Sequence, residues 1–140
     1  MTPNLLRQDL MLALRDIYQL DAFSALEDML QGESLTLQYL AFHAGEDVYP
    51  SDLSRELRLS RSRITGALNS LRGKELVEMH HSQQDRRRVK VAITQAGLLL
   101  IGQKTALMEA YFDQMIQGLG DEDAKRLISL IHRCVEVMQK

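Results

Sequence analysis

Apolar residues keep a helical rhythm along most of this chain, but between residues 77 and 93 the rhythm changes, and that switch constrains the fold most. Val77 and Met79, and then Val89, Val91 and Ile93, alternate with polar residues, which is the two-residue period of a strand. Between the two runs lies His81-Ser82-Gln83-Gln84-Asp85-Arg86-Arg87, polar and basic. The pattern predicts one β-hairpin with an exposed tip, set inside an otherwise helical chain.

The helices on either side are read from apolar spacing and caps. Leu6, Leu10, Ala13, Leu14 and Ile17 predict an amphipathic helix to about residue 20. Gln31-Gly32-Glu33-Ser34 reads as a break, with Ser34 capping a second helix from 35 to about 43 that turns Leu37, Leu40 and Ala41 inward. Gly45-Glu46-Asp47 ends that helix, and Pro50 suits the first turn of a third, because the N–H it lacks would have no partner there. Leu53 and Leu57 of the third helix face the core. Ser60 is a good N-cap for a fourth, whose Ile64, Ala67, Leu68 and Leu71 make a one-sided stripe. After the hairpin, Thr94 caps a long helix from 95 to about 119. Its Leu98, Ile101, Thr105, Met108, Phe112, Met115 and Leu119 form a heptad-like seam. At 1.5 Å per residue that rod is about 37 Å long. Gly118 and Gly120 stop it, and Asp121, Glu122 and Asp123 suit the positive end of a last helix. Ala124, Leu127, Ile128, Ile131, Cys134, Val135 and Met138 form that helix's stripe.

The expected fold is mainly α: an α+β winged helix-turn-helix with about six helices and a small β-hairpin wing. Residues 34–94 are the expected DNA-binding region. Residues 1–33 and 95–140 are the expected helical dimerisation region, within one compact domain of 140 residues. Two long apolar stripes exceed what one small winged domain can cover, so a second copy of the chain is expected to share them.

Charge points to the partner. The net charge is −2, yet residues 51–90 hold ten Lys and Arg against five acids, while the remainder holds seven against fourteen. A middle of +5 between ends totalling −7 suits a module that reads double-stranded DNA. Two short helices joined at Leu59-Ser60 form the helix-turn-helix, whose second helix enters the major groove. That helix presents Ser60, Arg61, Ser62, Arg63, Thr65, Gly66 and Asn69. Arginine makes paired hydrogen bonds to guanine, serine and threonine bond bases or phosphates, and Gly66 allows close approach. The hairpin tip carries Asp85, Arg86, Arg87 and Arg88. An arginine at its end suits a narrow minor groove, and its neighbours suit phosphates.

The stretch LSRSRITGALNSLRGKELVEMHHSQQDRRRVKVAITQAG, residues 59–97, resembles the MarR (multiple antibiotic resistance regulator) family. Its most specific part is DRRRVKVAITQAG, which matches Asp-x-Arg, an alternating strand, then a hydrophobic residue, Thr, two residues and Gly. The order of the helices is similar over the whole chain. The resemblance implies a homodimer with interlocked N- and C-terminal helices, a palindromic site, and repression often relieved by a small phenolic or anionic effector. Arg87 falls on the family's wing arginine and Asp85 on the acid that steadies the wing. Glu75 stands where many members have Gly, with Gly73 two residues earlier. The family's effector cleft corresponds to a region where Tyr18, Tyr39, Phe42, His43 and Tyr111 fall, each equally suited to a core or interface.

Other functions leave weaker marks. The chain has no Gly-rich phosphate loop, nucleophile elbow or metal-ligand spacing, so no enzyme and no cofactor are expected. His80 and His81 are neighbours in a strand and point to opposite faces, while His43 and His132 stand apart. A metal-sensing role therefore has little support. Redox sensing would fall on Cys134, which is expected to be buried and inert in its stripe. A winged helix that binds only another protein remains an alternative, but it would favour an acidic or apolar wing. No apolar run is long enough to span a membrane, and Asp9 and Asp16 argue against a leader, so a cytoplasmic location is expected.

Overall fold

A computed structural model describes residues 3–139; residues 1, 2 and 140, the outermost positions of the expected helical ends, lie outside the described residues. The elements run α1 (Pro3–Tyr18), α2 (Asp21–Met29), α3 (Gly32–Phe42), α4 (Pro50–Leu57), α5 (Arg61–Gly73), β1 (Val77–His81), β2 (Val89–Ile93), α6 (Gln95–Leu119) and α7 (Asp121–Met138). The described residues thus hold seven helices and a hairpin, and the helix beyond the expected number is α2. Its Ala22 and Met29 are buried.

Ser34 is not a cap, contrary to expectation. The Leu35 N–H already bonds the Gln31 carbonyl at 2.9 Å, so helix α3 begins at Gly32 with Gln31 as its extended N-cap. Ser34 sits inside the first turn and is buried.

The core forms where the stripes meet. Leu37 and Leu40 of α3, Leu53 of α4, and Ile64, Leu68 and Leu71 of α5 pack with Val48, Val77 and Val91. Met29 and Ile101, from the helical ends of the chain, complete the same cluster. Each large side chain buried there contributes about 1.5–3 kcal/mol relative to exposure. The hairpin is antiparallel, with Val77 opposite Ile93, Met79 opposite Val91 and His81 opposite Val89. Alternation therefore sends Val77 and Val91 inward and leaves Glu78 and Ala92 outside.

The exit from α5 is tightly specified. The Glu75 N–H bonds the Arg72 carbonyl at 3.0 Å and the Leu76 N–H bonds the Leu71 carbonyl at 2.9 Å, which is the Schellman closure of a helix. Glu75 takes the left-handed conformation this closure demands, at φ 61°. The turn thus forms with a residue that pays a steric penalty glycine would avoid. Gly73 lies within the helix and plays no part in the reversal.

The start of α6 is fastened to that same turn. The Thr94 hydroxyl donates to the Glu75 carbonyl at 2.8 Å and accepts the Gly97 N–H at 3.1 Å. The Thr94 N–H donates to the Leu76 carbonyl at 3.1 Å. A Cβ on Gly97 would collide with the Leu76 carbonyl oxygen and with Ile93 Cγ1.

Farther along α6 the expected seam divides. Ile101 is buried, Leu100 and Met108 pack on the core, and Phe112 meets Phe23 of α2 edge to face, with ring centroids 6.0 Å apart. Lys104 pairs with Asp28 at 3.0 Å. Leu98, Leu99, Leu107, Ile116 and Leu119 stay exposed. Helix α1 buries no residue and α7 buries only Ala124, so Leu6, Leu10 and Leu14 and Ile128, Ile131 and Val135 are open to solvent in the single chain. Cys134 is exposed for the same reason, not buried as expected.

The joint makes opposite predictions at two positions. Gly97→Ala should destabilise the fold by about 1–3 kcal/mol through overpacking, whereas Glu75→Gly should stabilise it by about 1 kcal/mol by relieving the left-handed strain. Gly102→Ala is the control, because an added Cβ there meets no atom within 4 Å. Thermal or denaturant unfolding of the three variants measures this, and a Gly97→Ala protein as stable as the parent would contradict the close approach.

Candidate nucleic-acid interface

The turn between α4 and α5 is held by Ser54 and Ser60. Helix α4 ends at Arg58, which is left-handed at φ 55°, and the Leu59 N–H bonds the Ser54 carbonyl at 3.2 Å. The Ser54 hydroxyl donates to the Leu59 carbonyl at 2.6 Å. The Ser60 hydroxyl then accepts the Arg63 N–H at 3.1 Å and starts α5. Such a cap is worth about 1 kcal/mol. With Ile64, Ala67, Leu68 and Leu71 buried, the remaining positions of α5 turn outward, and Arg61, Ser62, Arg63, Thr65, Gly66 and Asn69 are all exposed. The short side chains of Ser62, Thr65 and Asn69, with Gly66, keep the helix slim beside the two arginines. At the far end of α5, Glu33 bonds both the Ser70 hydroxyl at 3.1 Å and the Lys74 ammonium at 2.9 Å, tying α5 to α3.

The wing tip owes its shape to two side chains. One Asp85 carboxylate oxygen accepts the Arg87 N–H at 3.0 Å, while the Asp85 carbonyl accepts the Arg88 N–H at 3.0 Å. An aspartate that bonds the backbone two residues on builds its own turn. Ser82 is buried at the base of the tip, its N–H on the Arg88 carbonyl at 2.8 Å and its hydroxyl accepting the Gln84 N–H at 3.3 Å. His81 Nδ1 lies 2.8 Å from the Arg86 carbonyl, and His80 Nε2 lies 3.2 Å from Glu78. Arg86 and Arg87 are exposed.

Among the described residues, the guanidinium groups of Arg61, Arg63, Arg86 and Arg87 have no ion-pair or stacking partner within the chain. Arg55, by contrast, pairs with Asp52 at 3.0 Å, and that hydrogen bond and charge hold its guanidinium above the ordinary arginine range. Arg88 also departs from its expected place beside the other two wing arginines. It folds back over the ring of Tyr49, 3.6 Å from the centroid.

The residues considered for an effector cleft do not all meet. Tyr39 and His43 stack with centroids 4.2 Å apart, and Phe42 approaches His43 edge-on at 5.1 Å. His43 also pairs with Glu46 at 2.8 Å. Burial, and then the charges of Glu56 and Asp52, push the Tyr39 phenol up. Tyr18 instead donates to Glu27 at 3.1 Å, which also raises its phenol. Tyr111 lines a different groove of about 490 Å³, with Leu20, Ala22, Met115 and Leu119. Among the described residues, no three His, Cys, Asp or Glu side chains gather as a metal site.

Known proteins resemble this chain in part of its sequence and in its fold. The sequence model described as the MarR family matches residues 27–88, from the end of α2 to the wing tip. That segment is similar to the MarR family over fewer than half of the chain's residues. HTH-type transcriptional regulator PrsX of Escherichia coli is 29% identical over 84 residues, covering 60% of this chain and 50% of PrsX. The chain therefore spans about half the length of the regulator it matches. Among solved structures, YusO from Bacillus subtilis has a TM-score of 0.70 at 18% identity, over 97% of this chain and 99% of that one. A variant of MepR from Staphylococcus aureus, solved bound to an oligodeoxyribonucleotide, has a TM-score of 0.60 at 20% identity, over 99% of both chains. At such identities the likeness shows the fold alone, a winged helix with flanking helices over nearly the whole chain.

Proposed function

We propose that the chain is a DNA-binding transcriptional regulator that acts as a homodimer on a palindromic duplex site, not an enzyme. The observation that carries the reading is the set of unpartnered guanidinium groups at two places, Arg61 and Arg63 at the start of α5 and Arg86 and Arg87 at the wing tip. Arginines without an intramolecular partner, on a helix slim enough for a major groove and on a hairpin tip, fit major- and minor-groove contacts together. Ser60, Ser62, Thr65, Gly66 and Asn69 are assigned to the same surface. The DNA-bound MepR variant and the name of PrsX agree with this reading. Among the described residues no helix is long and apolar enough to cross a membrane, and a regulator of bacterial DNA works in the cytoplasm.

The second copy follows from the uncovered faces of α1, α6 and α7. Several leucines and isoleucines at about half exposure exceed what a soluble monomer ordinarily leaves open. Light scattering at micromolar concentration should give about twice 16.0 kDa, and a monomer at that concentration would contradict the dimer.

DNA reading is tested with duplexes selected in vitro from a random pool. Arg63→Ala should cost about 1–3 kcal/mol and relax sequence preference. Arg87→Ala should weaken binding more and remove any preference for A·T-rich flanks, because a narrow minor groove concentrates negative potential. Asp85→Ala should fall between Arg87→Ala and the parent, since it loosens the tip without removing a contact. Failure to select any duplex, or parental binding by Arg87→Ala, would overturn the assignment.

A further inference from the structure

The wing is fastened to the helix-turn-helix along one side. Three consecutive residues ahead of α4 meet β2 and its approach: Asp47 pairs with Lys90 at 3.2 Å, the Val48 carbonyl accepts the Val91 N–H at 2.8 Å, and the Tyr49 ring lies under the Arg88 guanidinium. Tyr49 is itself fixed, because it is the N-cap of α4 and its N–H donates to Asp52 at 2.9 Å. These links differ in kind. The backbone bond survives any side-chain change. The Lys90–Asp47 pair is largely exposed on the acid side and weakens with salt. The stack needs a flat guanidinium over an aromatic face, a geometry that lysine does not reproduce. It is also nearest the tip.

We propose that Tyr49 and Arg88 are a positioning pair that sets the height of the wing against the first helix of the helix-turn-helix, with Arg88 itself making no contact to DNA. The proposal rests on the DNA-binding reading above. The lever explains why one contact suffices. Five strand residues reach roughly 16 Å, so a tilt of about 10° moves the tip by about 3 Å. A hydrogen bond tolerates only a few tenths of an ångström. An Arg88 drawn to a phosphate would abandon the ring and free the wing that carries Arg86 and Arg87.

The test compares Arg88→Ala, Arg88→Lys, Tyr49→Ala, Tyr49→Phe and the double Tyr49→Ala/Arg88→Ala variant on a selected duplex, at several salt concentrations, with a melting curve for each. Tyr49→Ala and Arg88→Ala should each weaken binding about tenfold, and the double variant should be no worse than either. Arg88→Lys should behave as Arg88→Ala, Tyr49→Phe should bind as the parent, and the salt slope should not change in any of them. A slope reduced by about one per Arg88 removed, with Tyr49→Ala neutral, would make Arg88 a phosphate ligand and overturn the pair. Loss of binding in Tyr49→Phe would move the role to the tyrosine hydroxyl and overturn it equally. Amide exchange in the free protein separates the pair from the DNA reading. Exchange at Ser82 and Arg88 should quicken in Tyr49→Ala and not in Tyr49→Phe; if it is unchanged in Tyr49→Ala, the pair is wrong whatever binds DNA.

Discussion

One carbonyl group, that of Leu76, organises the protein. It accepts the Thr94 N–H and lies against Gly97, where no side chain fits. The Leu76 N–H meanwhile closes the end of α5. Helix α5, both roots of the hairpin and the first turn of the long helix therefore meet within a few residues. A rotation of α6 cannot leave α5 and the wing unmoved, because the Thr94 hydroxyl bridges the Glu75 carbonyl and the Gly97 N–H. The Thr-x-x-Gly spacing at the end of the wing has its physical meaning here: threonine caps α6 and glycine admits the carbonyl.

From that joint outward, each segment of the wing has its own restraint. Its root is held by Leu76 and Thr94, its side by Asp47, Val48 and Tyr49, and its tip by Asp85 and Ser82. Such restraint matters because exposed arginines are flexible, and ordering their backbone in advance lowers the cost of binding. The acidic balance of the whole chain does not oppose this role. Excess acid lies outside residues 51–90, while Arg61, Arg63, Arg86 and Arg87 lie inside them.

What could be read beforehand was local. The stripe of Ile64, Ala67, Leu68 and Leu71 is buried as its spacing implies, Ser60 and Thr94 cap the helices they precede, and the hairpin spans the residues whose period changes. Helix α2 was not among the expected helices, although Ala22, Leu26 and Met29 stand at helical spacing after the expected end of the first helix near residue 20. Ser34 looked like a cap because its residue type favours one, yet the tertiary core claimed it. The departure of Arg88 toward Tyr49 joins residues 39 positions apart, which no local pattern encodes. The seam of α6 was read as one face, but packing against Phe23 and Asp28 of α2 took its middle and left other parts exposed.

The central claim is that the unpartnered guanidinium groups of α5 and the wing meet phosphates and groove edges of duplex DNA. The salt dependence of duplex binding tests it most directly, because each phosphate neutralised contributes roughly −0.9 to the slope of log affinity against log salt. Two copies of the chain, each offering Arg61, Arg63, Arg86 and Arg87, should lose affinity steeply between about 50 and 200 mM salt, by about a thousandfold or more if six phosphates are engaged. Affinity that barely changes over that range would mean that this basic surface is not where the DNA lies.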